Sequence, residues 1–112
     1  MHNPSKFQLR LFQREDQNAA HSLQDEFIEE FFPEFIGDPR LEEWNEDMSD
    51  IYSAYSGKAG VFWVVENSTE VVGMGGIKNR DDGPVISRVR VRRQERGKGI
   101  GTFLLRHMEE YC

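Results

Sequence analysis

The chain has 112 residues, with 14 Lys and Arg against 20 Asp and Glu, a net charge of −6, and a single cysteine. This length provides for one hydrophobic core, so we expect a single domain over residues 1–112. The acidic balance argues against nucleic acid as a partner. Apolar runs fall far short of the roughly 20 residues of a membrane span, and an apolar signal stretch is lacking at the start, so we expect a cytoplasmic protein that binds no membrane.

The first half of the chain predicts one strand and two amphipathic helices. Residues 6–12 alternate apolar and polar side chains, which is typical of a half-buried strand. The first helix follows Asp16, the expected N-cap, and ends at Pro33. The second begins with Asp38 as cap and Pro39 at its first position. The expected apolar stripes are Ala20, Leu23, Phe27 and Phe31 in the first helix, and Leu41, Trp44, Met48, Ile51 and Tyr55 in the second.

Three further strands are predicted at residues 60–66, 70–77 and 85–91. The first two are separated by the short turn of residues 67–69, which indicates a hairpin. Residues 60–66 are too apolar for a strand with one wet face, so we expect this strand to be central. The second contains Gly73, Gly75 and Gly76, which mark a bulge or a close approach of backbone or ligand.

A glycine-rich turn follows the last predicted strand and opens an apolar helix. Its residues are Arg96, Gly97, Lys98, Gly99, Ile100, Gly101 and Thr102, and the helix has the stripe Ile100, Phe103, Leu104 and Met108. Glycine adopts the positive φ angles that aim successive N–H groups one way, and a helix N-terminus adds unpaired amides and a positive dipole end. The turn is therefore suited to bind a phosphate, although an ordinary strand-to-helix turn is the alternative. The glycine spacing matches neither a Walker loop nor the dinucleotide fingerprint.

The turn resembles the acyl-CoA-binding motif of the GCN5-related N-acetyltransferases (GNAT). That pattern, Arg/Gln-x-x-Gly-x-Gly/Ala, is met by Arg96, Gly99 and Gly101. The element order βααβββα is also similar, so the resemblance covers essentially the whole chain. It implies an α/β sandwich around a mixed, mostly antiparallel sheet. Relatives continue with further strands and another helix, so the chain resembles a C-terminally short acyl-CoA N-acyltransferase-like domain.

The resemblance implies that acetyl-CoA is the co-substrate, with its pantetheine arm on the strand backbone and its pyrophosphate on the glycine turn. Arg96 and Lys98 would add positive charge. Arg92 or Arg93 would meet the 3′-phosphate, or would simply be solvated. The candidate cofactor-binding residues are Val89, Val91, Arg96, Gly97, Lys98, Gly99, Ile100, Gly101 and Thr102.

The reaction implied is transfer of an acetyl group from acetyl-CoA to a primary amine of a small molecule or protein. An N–H near Val89 would stabilise the oxyanion. The glutamate that serves as base early in the fourth strand of many relatives has no match in residues 84–87, so no catalytic residue is assigned. A water-mediated base from the first helix or from Asp81 and Asp82 would serve, or the amine would arrive neutral. Tyr111 falls too early to be the family's acid. A non-catalytic module that binds CoA or only keeps the fold is the alternative.

Charge and exposed surface bear on the partners. Residues 1–78 carry 6 Lys and Arg against 15 Asp and Glu, whereas residues 79–112 carry 8 against 5. An acidic rim on the first two helices would favour a cationic amine. Phe31, Phe32 and Trp44 would line an acceptor pocket or belong to the core, and the alternating Arg88, Arg90 and Arg92 indicate a partly open sheet face.

Two further expectations concern assembly and metals. Without the further strands of its relatives, the fourth strand would have a free edge that recruits a second copy, so we expect a homodimer. Cys112 cannot form an internal disulfide, and His2, His21 and His107 lack the spacing of a metal site, so no metal is expected.

Overall fold

The computed structural model describes residues 7–112 and contains one four-stranded sheet, in the order β1-β2-β3-β4. The elements are β1 (Gln8–Leu11), α1 (Gln17–Phe31), α2 (Pro39–Trp44), α3 (Ile51–Ala54), β2 (Gly60–Glu66), β3 (Val71–Arg80), β4 (Gly83–Val91) and α4 (Ile100–Tyr111). All three described strand pairs are antiparallel. The predicted α/β sandwich is confirmed, while Lys6 of the expected first strand lies outside the described residues. In the described part of the chain, no helix combines the length and apolar composition needed to cross a membrane.

Strand β2 is central, as predicted, because its successive side chains enter two different cores. Phe62 and Val64 pack into one cluster with Leu23 of α1. Trp63 and Val65 pack into the other with Leu104 of α4. Complete burial of such side chains contributes about 1.5–3 kcal/mol each. The helices therefore cover both faces of the sheet.

The glycines of β3 allow close packing, as their pattern predicted. A Cβ on Gly76 would lie 2.5 Å from Cδ2 of Phe62, and one on Gly75 would lie 2.9 Å from Cε of Met108. The β3–β4 register also shifts between Met74 and Gly76. The close approach thus occurs on β3 and the bulge on the facing part of β4.

Asp16 is the N-cap residue of α1, as predicted, but its side chain makes no capping hydrogen bond to this helix. Its carboxylate accepts hydrogen bonds from Nη1 of Arg10 at 2.7 Å and from the Gln13 N–H at 2.8 Å. Arg10 also bonds Glu66, so the cluster joins β1, β2 and the start of α1. Burial alone raises the pKa of Asp16, but the bonds from Arg10 and Gln13 outweigh burial, so the net pKa is lowered.

The predicted second helix is interrupted. Asp38 caps α2 by accepting from the Arg40 N–H at 2.9 Å, as expected, but α2 ends at Trp44. A 3₁₀ turn at Glu46–Ser49 follows, and Asp50 then caps the separate helix α3. Short polar side chains such as Asp50 compete with the helical backbone for its hydrogen bonds. The stripe therefore divides, because Met48, Ile51 and Tyr55 are buried whereas Trp44 is 48% exposed.

Candidate functional site

The glycine turn has the backbone geometry that its sequence predicts. Gly97 has φ of +82° and Gly99, the N-cap of α4, has φ of +86°. No side chain caps α4, whose first hydrogen bond runs from the Phe103 N–H to the Gly99 carbonyl. The N–H groups of the preceding helical residues therefore have no partner within the helix. The turn presents unpaired donors at the positive end of a helix dipole.

A cavity of about 520 Å³ lies between this turn, β4 and α1. It is lined by Leu23, Phe27, Phe31, Val89, Arg90, Val91, Glu95, Arg96, Gly97, Gly99, Ile100, Gly101 and Thr102. Eight of the nine candidate cofactor-binding residues thus share one cavity. Lys98 is outside the lining, and its Nζ lies 3.1 Å from Oε1 of Glu95.

The backbone of Val89 and Val91 faces the free edge of the sheet. The Arg92 N–H donates to the Val72 carbonyl on β3, and backbone groups alternate in direction along a strand. The outward carbonyls are occupied by arginines, since Nη1 of Arg90 donates to Val89 at 3.0 Å and Nε of Arg96 donates to Val91 at 3.2 Å. A ligand along this edge would meet N–H groups and shared carbonyls.

The arginines after β4 already have carboxylate partners. Nη1 of Arg96 lies 2.7 Å from the Glu30 carboxylate, and Nε of Arg93 lies 3.4 Å from it. The Arg96 hydrogen bond is the main reason that the pKa of Glu30 is lowered. Arg92 contacts Glu70 at 3.5 Å, and neither Arg92 nor Arg93 is among the described residues that line the cavity. Their pairing with a 3′-phosphate stays a prediction.

Strand β4 carries a bulge at Arg88 and Val89, which together face Gly75 on β3. Arg88 has φ of +58° and is the one non-glycine residue with positive φ in the described chain. Its guanidinium lies 2.6 Å from Oδ1 of Asp47, and both side chains are 10% exposed. It also donates to the Trp44 carbonyl at 2.6 Å. These bonds hold a backbone conformation that an arginine rarely adopts.

A second cavity of about 840 Å³ is lined on β4 by Ser87 and Arg88. These residues immediately precede the β4 residues that line the first cavity. The Tyr55 hydroxyl bonds Oδ2 of Asp47 at 2.7 Å and Oγ of Ser87 at 3.1 Å. Burial raises the pKa of Tyr55 to about 12. Burial also tends to raise the pKa of Asp47, but Arg88 and Tyr55 outweigh it, so that pKa is lowered. At neutral pH the cluster therefore holds a carboxylate and a neutral phenol.

The charged lining of the second cavity has an excess of one acidic side chain over the basic ones. Its charged lining comprises Glu43, Glu46, Asp47 and Asp50 together with Lys78, Arg80 and Arg88. These acids come from the region of the predicted second helix and the turn that interrupts it. The acidic rim expected from the sequence thus has a defined place beside the bulge.

The sheet face of Arg88 and Arg90 is partly open, as expected, because Arg88 borders the second cavity and Arg90 borders the first. On this face Arg88 pairs with Asp47 and Arg90 bonds Gln24 of α1. Phe31, Phe32 and Trp44 are 52%, 38% and 48% exposed, so they are not core residues. Phe31 lines the first cavity, Trp44 lines the second, and Phe32 and Trp44 line an apolar third one of about 380 Å³.

The sequence reasoning missed Asp47, Tyr55 and Gln24 as members of the site. The arginines in the otherwise apolar strand β4 were the available signal. They could not identify their partners, because Asp47 lies 41 residues from Arg88 and Gln24 lies 66 residues from Arg90. Among residues 7–112, no group of three or more His, Cys, Asp and Glu side chains is placed to hold a metal ion.

The site thus combines a turn that offers backbone donors, an open strand edge and a cavity between them. A model of the Acetyltransferase (GNAT) family matches residues 20–112. The chain belongs to this family. No curated protein gives a significant match.

Solved structures of acetyltransferases have the same fold. A GNAT-family acetyltransferase from Staphylococcus aureus Mu50 superposes with a TM-score of 0.76 at 20% identity, over 90% of this chain and 62% of that one. An acetyltransferase from Streptococcus agalactiae 2603 superposes with a TM-score of 0.74 at 18% identity, over 95% of this chain and 65% of that one. A predicted acetyltransferase with acetyl-CoA from Clostridium acetobutylicum superposes with a TM-score of 0.68 at 16% identity, over 94% of this chain and 72% of that one. The chain thus spans less than two thirds of the first two structures.

Proposed function

We propose that this chain transfers an acetyl group from acetyl-CoA to a primary amine of a small molecule or protein. The observation that carries the proposal is the single cavity that joins the glycine turn to the free edge of β4. In this arrangement the pyrophosphate accepts bonds from the amides of residues 97–102, and the pantetheine arm lies along Val89 and Val91. Arg96, which lines the cavity, would exchange part of its contact with Glu30 for a phosphate.

The reacting groups would meet at the bulge, where the two cavities reach consecutive residues of β4. The amine attacks the thioester carbonyl, the Val89 N–H stabilises the oxyanion, and the CoA thiolate leaves as the C–S bond breaks. Asp47 is a poor general base because its lowered pKa and its bonds to Arg88 and Tyr55 keep it occupied. We therefore propose that the amine loses its proton through water to solvent.

The acceptor is proposed to be cationic. The acidic side chains of the second cavity raise the local concentration of a positively charged amine by electrostatic steering. Asp47 is already compensated by Arg88, so Glu43, Glu46 and Asp50 would supply this attraction, and Lys78 and Arg80 would oppose part of it. A cytoplasmic location stays a prediction.

Calorimetry with acetyl-CoA, followed by measurement of thiol release with a panel of cationic and neutral amines, tests this function. We expect saturable binding and a release rate that rises with a subset of cationic amines and falls with added salt. Binding without amine-dependent release would instead support the non-catalytic CoA-binding module. Absence of binding to acetyl-CoA and CoA would contradict the proposal.

Self-association is a further part of the proposal. Strand β4 is an edge strand of the described sheet, and Phe103 and Leu105 of α4 are 47% and 40% exposed. A second copy pairing at this edge would displace Arg90 and Arg96 from the outward carbonyls and occupy the place proposed for the pantetheine arm, so dimerisation and donor binding would compete. Sedimentation velocity at high micromolar concentration is expected to show a dimer, and a monomer there would contradict this expectation.

A further inference from the structure

Arg90 differs from the other arginines of β4 and the following turn because it has no carboxylate partner. Arg88 pairs with Asp47, Arg92 contacts Glu70, and Arg93 and Arg96 share Glu30. Among residues 7–112, no carboxylate oxygen lies within 4.0 Å of the Arg90 guanidinium. A partly buried cation without an anion is electrostatically unfavourable, and an anionic ligand would relieve this.

The Arg90 side chain is nevertheless held in one position. Its Nε donates to Oε1 of Gln24 at 2.9 Å, its Nη1 donates to the Val89 carbonyl at 3.0 Å, and its guanidinium lies 3.6 Å from the ring centre of Phe27. Gln24 is 1% exposed and is itself fixed by Asn45. Within the described chain, Nη2 of Arg90 makes no hydrogen bond. The guanidinium therefore keeps donors free in a site that is already ordered.

The charge persists at neutral pH. Burial, and then the nearby charge of Arg88, lower the pKa of Arg90 to about 10, which still leaves the side chain protonated at pH 7. Arg88 repels the Arg90 charge, and the Asp47 carboxylate offsets part of this repulsion.

The position of Arg90 in the cavity indicates which part of a donor it would meet. At the end of the first cavity formed by the glycine turn, Arg96 lies 5.5 Å from the ring centre of Phe31. Arg90 lies over Phe27, one helical turn earlier on α1, and bonds the Val89 carbonyl at the bulge. A donor with its phosphates on the turn and its pantetheine arm along Val91 and Val89 would bring its thioester to the bulge, beside Arg90. The second cavity, proposed for the acceptor, is not lined by Arg90.

We propose that Arg90 makes this site selective for acyl-CoA donors whose acyl chain ends in a carboxylate, such as succinyl-CoA. A guanidinium with free donors binds a carboxylate through charge-assisted hydrogen bonds, which an acetyl methyl group cannot accept. The reaction is unchanged, since the amine still attacks the thioester carbonyl and the CoA thiolate still leaves. The distal carboxylate takes no part in the chemistry. This inference rests on the proposed function, in that it uses the same CoA site and the same acyl transfer and makes acetyl-CoA the weaker of two donors.

Calorimetric titration of the full chain with CoA, acetyl-CoA and succinyl-CoA tests the inference. The parent is expected to bind succinyl-CoA at least about tenfold more tightly than acetyl-CoA, a difference of about 1.4 kcal/mol. Arg90→Gln is expected to lose this preference, so that the variant binds acetyl-CoA and succinyl-CoA with equal affinity. Arg106→Gln removes an exposed arginine of α4 that lies outside the cavity, and should leave all three affinities unchanged.

Equal affinity of the parent for acetyl-CoA and succinyl-CoA would overturn the inference without any variant, even if Arg90→Gln did not fold. A variant that weakened all three ligands equally would also overturn it, because Arg90 would then act on the part of CoA that they share. If the parent bound none of the three, the proposed function itself would fail. Binding of CoA and acetyl-CoA without a succinyl preference would leave the proposed function standing.

Discussion

Replacing Gly99 by Val is expected to lower the affinity for acetyl-CoA by about tenfold or more while α4 remains folded. Gly99 has φ of +86°, which a β-branched residue adopts only under strain. No atom lies within 4 Å of the position of the new Cβ, so the side chain would project into open space at the turn. It would hold a phosphate away from the backbone donors, and each charge-assisted bond lost costs about 1.5–3 kcal/mol.

Gly37 offers a matched control for this variant. It also has φ of +86° and no atom within 4 Å of its Cβ position, but it does not line the cavity. Gly37→Val should therefore lower the free energy of unfolding by a similar amount, about 1–2 kcal/mol, and leave acetyl-CoA binding unchanged. Calorimetry and circular dichroism on both variants separate strain from ligand exclusion. Parent-like affinity in Gly99→Val would refute the assignment of the turn.

Replacing Arg88 by Ala is expected to lower the free energy of unfolding by about 3 kcal/mol. The substitution leaves the Asp47 carboxylate, 10% exposed, without its main counter-charge, which is costly in a partly buried site. The value lies at the low end for buried pairs because both side chains border an open cavity. The alanine would also retain the positive φ without the bonds that hold it. Urea unfolding measures the change.

The stability contributed by the Arg88–Asp47 pair is expected to depend on pH. Because the pKa of Asp47 is lowered in the folded state, its contribution to stability is present above its unfolded value of 3.8 and is lost as the pH falls through the lowered pKa. The difference between parent and Arg88→Ala should therefore shrink below about pH 4. Arg40→Ala removes an equally short but exposed pair with Asp38, and should barely change stability. A comparable loss in both variants would contradict the special role of Arg88.

Local sequence patterns were sufficient for most of the fold and for the turn. The period-2 alternation and the continuous apolar runs depend only on neighbouring residues, so they indicated the strands and the central place of β2. The glycine spacing likewise predicted the positive φ angles at Gly97 and Gly99. The same reasoning failed at the second helix, because Asp50 bonds the backbone locally and starts a new helix.

The sequence by itself thus determined the family, the order of elements and the turn between β4 and α4, since each depends on short-range patterns. The tertiary structure alone decided the partners of the arginines. Arg88 meets Asp47 across 41 residues and Arg90 meets Gln24 across 66. The bulge that separates these two arginines depends on how β4 aligns with β3. Register between strands and pairing across the sheet are long-range properties that no local period encodes, and they decide which guanidinium is left free to bind a ligand.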